Sequence, residues 1–321
     1  MMRPLSASML ALALAGCVNM APAHERPSLA SAPAYDGEYR PDGTVVASTL
    51  SYGEWFDDAR LVALIDTAVA NNRDLVAATA RIEQARAQYR VQDSRRLPAP
   101  VASAAAGRSR TPTGAAIAGA APTVTADRFE VGVGVTSFEL DFWGRVANLS
   151  EAARARYLAT EANQRAFYLS LVADVASTYF EILETDAQID LAQATLESRQ
   201  EGLRIARLRL DAGVSSALPY RQAETLLTTA EQQLAAQRLD RARLNNQLAV
   251  LVGGAVPESL PQPLAMQAQD DAMMLDAGLP SDLLLVRPDI TAAEEQLRAA
   301  RADIGAARAA FFPTISLTGN A

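Results

Sequence analysis

The chain has 321 residues, 50% of them hydrophobic, which is enough for a substantial core and for about two domains. A net charge of −8 with no basic block argues against a nucleic-acid surface. All 29 basic residues are arginine, and the single histidine, His24, has no His or Cys neighbour, which argues against a zinc site or a His-based catalytic triad.

The chain opens with Arg3, the apolar run Met9 to Leu14, and Ala15-Gly16-Cys17. This is the layout of a signal peptide over residues 1–16, too short to span a bilayer. Leu14-Ala15-Gly16-Cys17 resembles the bacterial lipobox, and Cys17 is the only cysteine. The resemblance implies cleavage before Cys17, then an S-diacylglycerol thioether and an N-acyl chain on Cys17. Several acyl chains at ~0.8 kcal/mol per buried methylene make a stable anchor. Val18 in place of an aspartate implies sorting to the outer membrane. Residues 17–57 carry Pro22, Pro27, Pro33 and Pro41 and read as an extended tether.

From Asp58 to about Arg96 the pattern is helical, with a break at Asn71-Asn72 and an end before Pro98-Ala99-Pro100. Two strands are expected within residues 98–142, a weak one over Val101–Arg110 and a stronger one over Phe129–Phe142. In the stronger one Phe129, Val131, Val133 and Val135 form an apolar face, opposed by Glu130, Gly132, Gly134 and Thr136. After Ser137 the apolar phase flips to Phe138, Leu140 and Phe142, which indicates a bulge or an exit from the sheet.

Residues Arg145–Asp211 lack proline and predict one helix on the order of 100 Å long. Its clearest stripe is Leu169, Val172, Ala176, Phe180, Leu183, Ala187, Leu191 and Ala194. Gly213 breaks it, Ser215 or Ser216 can cap a second helix, and Pro219 is tolerated in that helix's first turn. The second helix runs to about Val252 with a seam of Tyr220, Ala223, Leu227, Ala230, Leu234, Gln237, Arg241, Leu244, Leu248 and Leu251. The pair is a long antiparallel hairpin over residues 145–252 that cannot bury itself alone and needs neighbours. Residues 253–280 read as a linker.

Residues Asp74–Pro98 then align without a gap on Asp289–Pro313, at a constant offset of 215. This marks an internal duplication: a first repeat over residues 58–252 and the start of a second, a helix and a strand, over residues 281–321. The offset predicts a chain continuing to about residue 467, so a longer protein is expected, whose second strand and hairpin lie beyond Ala321. These residues alone are not expected to form a conducting assembly.

No enzyme site emerges. Val131-Gly-Val-Gly-Val lies inside a strand and is followed by no lysine, so it is not a phosphate loop. Glu139 and Asp141 share a strand face and are expected to face water rather than form a catalytic pair. Phe142 and Trp143 read either as interfacial aromatics or as packing at a strand–helix corner. Arg204, Arg207 and Arg209 read either as a site for an anionic partner or as a solvated helix face.

Phe138-Glu139-Leu140-Asp141-Phe142-Trp143-Gly144-Arg145 resembles the strand-to-helix corner of the TolC-like outer-membrane efflux proteins. Leu279 to Leu284, Arg287 to Ile290 and Ala309 to Leu317 resemble the start of that family's second repeat, and the lipobox resembles its NodT/OprM lipoprotein branch. The resemblance implies a mainly α fold with membrane β-strands: long helical hairpins of an α-barrel, and strands of a trimeric outer-membrane β-barrel. It further implies a homotrimer in outer-membrane lipid that acts as the passive duct of a tripartite, RND-type efflux system. A periplasmic adaptor and an inner-membrane pump are the implied partners, with no cofactor beyond the lipid on Cys17. The adaptor would meet the hairpin tip at Arg209, Asp211, Gly213, Ser215, Ser216 and Pro219, and the membrane would meet Phe129, Val131, Val133, Val135, Phe142 and Trp143. A lipid-anchored adaptor is the alternative, but it should flank its hairpin with lipoyl-like β halves and lack the duplication.

Overall fold

The computed structural model describes residues 19–23, 50–112, 123–269 and 283–321; the lipobox, most of the tether and residues 279–282 lie outside this set. Helix α1 (Tyr52–Trp55) starts at a reciprocal cap between Ser51 and Glu54. Helix α2 (Ala59–Asn71) is capped by Asp58, whose Oδ1 accepts the amides of Arg60 at 2.8 Å and Leu61 at 3.4 Å. Asn72 makes the expected break: its backbone is extended, and its Oδ1 accepts the Asp74 and Leu75 amides at 3.0 and 2.9 Å to start helix α3 (Arg73–Ser94).

Strand β1 (Pro100–Pro112) pairs antiparallel along its whole length with Thr123 to Val135 of β2 (Thr123–Glu139), and β3 (Ser316–Asn320) pairs with the other edge of β2, giving the order β1-β2-β3. The stronger strand therefore begins six residues before the sequence reading and ends three earlier. Its first residues carry only Val124 and Ala126, in the opposite phase to Phe129, and are strand because β1 pairs with them; Asp127, for example, lies opposite Arg108. Beyond Glu139 the chain turns, with the Phe142 amide donating to the Leu140 carbonyl at 2.9 Å. The irregularity expected after Ser137 is present as a bulge between Val135 and Phe138. Val135 faces Gly319 and Phe138 faces Leu317, so three steps along β2 match two along β3 and β2 holds one extra residue.

Helix α4 (Arg145–Asp211) and helix α5 (Ala217–Val252) are joined by a turn at Gly213, whose φ of 71° is left-handed. The α5 seam stands as expected, from the half-buried Tyr220 to the buried Ala230, Leu234 and Leu248, with only Arg241 exposed. The α4 stripe stands only in its middle. Ala176 is buried and Val172, Phe180 and Leu183 pack on the core, but Leu169 and Leu191 are exposed, and the most buried seam is rotated to Leu171, Val175, Tyr179, Ile182 and Ala192. Helix α4 is apolar on more than one face, so periodicity alone does not say which face meets a partner.

Helix α6 (Leu283–Val286) and helix α7 (Pro288–Ala309) follow. Helices α3 and α7 have 22 residues each, and their first and last residues coincide at the offset of 215. The duplication is thus a structural repeat.

The chain divides into two compact units. One holds Arg81–Ala162 and Asp289–Ala321 with the described N-terminal residues, and it contains the sheet. The other holds the described parts of Leu29–Ala80 and Asn163–Pro288, and its core is built from Leu61, Leu64, Ile65, Leu171, Val175 and Val252. Gly253 ends α5 in this second unit with φ 85°, and a methyl group there would run into the carbonyl of Asn71, so both conformation and space call for glycine.

Candidate functional site

The sheet carries the first candidate surface. Phe129, Val131 and Val133 project from β2 with 79%, 86% and 57% of their surface exposed. Opposite them on the same face β1 presents Ala106, Ala104 and Ala102. The extra residue before Phe138 brings that side chain onto the same face as Val135, because Leu317 and Gly319 are two apart on β3. The apolar face is therefore continuous from Phe129 to Phe138. It follows about 27 Å of strand, which at a tilt of about 40° covers about 21 Å, close to the ~25 Å apolar band of an outer-membrane barrel. At one end it stops at an ion pair, Arg108 Nε to Asp127 Oδ1 at 2.6 Å, directly across the two strands. The other face holds Glu130, Gly132 and Gly134 of β2 opposite Ala105, Ser103 and Val101 of β1, mostly small or hydrophilic groups with one exposed valine.

The strand–helix corner follows β2. Trp143 lies in the turn, outside the strand, stacked on Phe312 with ring centroids 4.6 Å apart, and its Nε1 donates to the Pro313 carbonyl at 3.1 Å. Phe142 likewise lies past the strand end, so neither aromatic belongs to the membrane strand itself. Phe311, which the sequence reading did not single out, is 91% exposed. Glu139 and Asp141 are only part-exposed and serve the corner instead of facing water. Glu139 chelates the Arg145 guanidinium, and Asp141 Oδ2 accepts the Ala147 amide at 2.7 Å in the first turn of α4. Sequence spacing did not show this, because the turn at Gly144 folds the strand end back on the helix. A cavity of about 760 Å³ beside the corner is lined by Phe138, Leu140, Phe142, Asn148 and Asn19.

The hairpin tip is the third surface. Arg209, Asp211, Gly213, Ser215, Ser216 and Pro219 all lie in or beside the α4–α5 turn, closed by the Val214 amide donating to the Arg209 carbonyl at 3.1 Å. Ser216 is the N-cap of α5 by position, but its side chain makes no capping bond. Arg207 pairs with Asp211 at 3.1 Å and lies over the Tyr220 ring, which Arg221 covers as well, at 5.4 and 5.5 Å from the centroid. Arg204 pairs with Glu201 at 2.7 Å. The arginine run is thus largely matched by its own helix, a solvated face. Beside the exposed Arg209, Asp211 and Ser216 the tip also offers apolar groups outward: Val214 is 74% and Leu218 65% exposed. Among the described residues no group of three or more His, Cys, Asp or Glu could hold a metal ion. Cys17 lies outside the described residues.

Residues 64–254 and 279–321 match the family model described as outer membrane efflux protein. The solvent efflux pump outer membrane protein SrpC of Pseudomonas putida is 41% identical over 325 residues, which cover 98% of this chain and 67% of that protein. The cation efflux system protein CusC of Escherichia coli K12 is 38% identical, over 96% of this chain and 66% of its own length. The crystal structure of the open state of the Neisseria gonorrhoeae MtrE outer membrane channel superposes with a TM-score of 0.76 at 36% identity, covering 94% of this chain and 66% of that one. The chain therefore spans about two thirds of the length of the proteins it matches.

Proposed function

This chain belongs to the outer membrane efflux protein family, and we propose that it serves as the outer-membrane channel subunit of a tripartite, RND-type efflux system. In this reading it is a passive duct that exports small molecules from the periplasm to the exterior, and it catalyses no reaction. The protein is a homotrimer whose strands close one barrel, since an open sheet edge in hydrocarbon leaves backbone groups unpaired. Cys17 carries the acyl chains after removal of residues 1–16, and residues 17–57 tether the first repeat to that anchor. A periplasmic adaptor meets the α4–α5 tip through Val214 and Leu218 beside Arg209, Asp211, Gly213, Ser215, Ser216 and Pro219. An inner-membrane pump supplies the energy.

One observation carries this reading: the unbroken apolar face from Phe129 to Phe138, set against a face of mostly small or hydrophilic groups. In water such a face would drive aggregation, whereas around a barrel it meets lipid outside and solvent inside. The test is to express the full-length protein with its pump and adaptor in a host that lacks its own outer-membrane duct. Recovered export, with a heat-modifiable trimer in the outer-membrane fraction, is the expected result. Recovery of the protein only as a soluble periplasmic or inner-membrane species would overturn the proposal.

A further inference from the structure

Helix α7 contains one glycine, Gly305, in its interior. A glycine there costs ~1 kcal/mol relative to alanine, so the helix gains nothing from it by itself. The N-terminal residues 19–23 give the reason. A methyl group on Gly305 would lie 2.8 Å from both the Cα and the backbone nitrogen of Ala21, and 2.9 Å from its Cβ, closer than real side chains approach. The segment crosses the helix at this notch and is held on both sides. Arg301 Nη1 donates to the Ala23 carbonyl at 3.0 Å, and Arg308 Nη1 donates to the Met20 carbonyl at 3.3 Å. Positions 301, 305 and 308 lie on one helical face. Asn19 Oδ1 accepts the Ala21 amide at 3.0 Å and shapes the segment before it reaches the notch.

The duplication supplies a control within the chain. At the same offset α3 has Arg86, Arg90 and Asp93. Arg86 donates to the Tyr157 hydroxyl at 3.0 Å, Arg90 is exposed, and Asp93 accepts the Ser150 hydroxyl at 2.6 Å. The first copy thus has a bulky cation where the second has the notch, and a carboxylate where the second has a guanidinium that grips a carbonyl. A strap could not lie on α3 in this way. The two helices share their length and bounds, and they differ at these two positions in the sense that the strap requires.

We infer that this face of α7 is a docking seat for the chain's own N-terminal strap, and that its role is to fix where the N-terminus is delivered. Asn19 lines the cavity at the strand–helix corner. Cys17 is two residues upstream, within ~7 Å of chain. The seat therefore brings Asn19 to the corner, beside the membrane strands, two residues along the sequence from the acylation site. The lipid half of the inference rests on the lipobox reading above, whereas the seat does not.

The experiment uses the full-length protein, as wild type, as Gly305→Leu, and as Arg301→Met with Arg308→Met. Leucine is a better helix former than glycine, so the first variant blocks the notch without weakening α7. The second removes the two grips and leaves the notch open, and it decides the question alone if the first does not fold. Hydroxyl-radical oxidation of Met20, half-buried in the docked strap, is followed by mass spectrometry. The expected result is oxidation faster by about twofold or more in either variant, as the strap opens. Unchanged oxidation in both would overturn the seat. The mass of the N-terminal peptide is read in the same samples: an unacylated wild-type Cys17 would sink the lipid half and leave the oxidation result to decide the seat.

Discussion

Asp58 shows how much one carboxylate can hold. It is only 2% exposed. Its Oδ1 caps α2, and its Oδ2 accepts from the Tyr179 hydroxyl at 2.6 Å, the Gln269 Nε2 at 2.9 Å and the Leu264 amide at 3.0 Å. Burial alone would push this carboxyl up, but the hydrogen bonds from Tyr179, Gln269, Leu264 and Arg60 outweigh it and hold it below the usual carboxylate range. Burial first, and then the bond to Asp58, pushes the Tyr179 phenol up, so it stays protonated as a donor. With the folded value of Asp58 below an unfolded value of about 3.9, its stabilisation is complete above that pH. It is lost as the pH falls through the lower, folded value. Asp58→Asn places an NH2 or leaves a weaker acceptor where several donors converge, and should cost about 2–4 kcal/mol at neutral pH. Denaturation midpoints at pH 7 and pH 3 check this: the gap between wild type and variant should shrink in acid, and a constant gap would refute the account. Asp58 was legible in the sequence as the start of a helix. The knot was not, because its partners lie 121, 206 and 211 residues away.

At the scale of the element, local chemistry was the most readable. The break at Asn72, the hairpin turn at Gly213, the ends of α4 and α5, and the irregularity after Val135 all follow from residues within a few positions of each other. Two features depended on distant partners and were misplaced. The start of β2 is fixed by pairing with β1, and the buried seam of α4 is fixed by α2 and α5 beside it. The bulge has an energetic consequence, since it keeps Phe138 on the apolar face, which would otherwise switch sides. Val133 lies near the middle of that face and Phe129 near its edge. Val133→Arg should therefore cost about 2–4 kcal/mol of barrel stability and Phe129→Arg no more than about 1. Ser103→Arg, on the opposite face beside Gly132, should be tolerated. Folding yield into lipid vesicles, read as heat-modifiable mobility, separates the three. Equal sensitivity on both faces would mean that the apolar face is not the one in lipid.

For the whole molecule, the decisive fact is that α4 carries apolar surface that the other described residues leave uncovered. Among the described residues this helix alone holds an 18-residue stretch apolar enough, by length and composition, to cross a bilayer, yet only 33% of that stretch is buried. One stripe of α4, with Leu171 and Val175, is used within the protomer. The stripe that the sequence had marked is divided: Ala176 is buried and Val172, Phe180 and Leu183 pack on the protomer core, whereas Leu169 at 53% and Leu191 at 70% exposure do not. Exposed leucines on a long helix suit lateral packing against another long helix. In the proposed trimer that neighbour is a helix of a second repeat or of another copy. The covered and uncovered leucines can be told apart by mutation. Leu171→Ala empties a buried site and should cost about 2–5 kcal/mol of protomer stability. Leu169→Glu with Leu191→Glu buries nothing new in the protomer, so the folded chain should survive while the trimer is lost, because charges would enter an apolar seam between helices. Native mass and thermal unfolding of the full-length protein in detergent read the two effects separately. A Leu169→Glu, Leu191→Glu protein that assembles in wild-type yield would show that these leucines face water in the assembly as they do in the protomer.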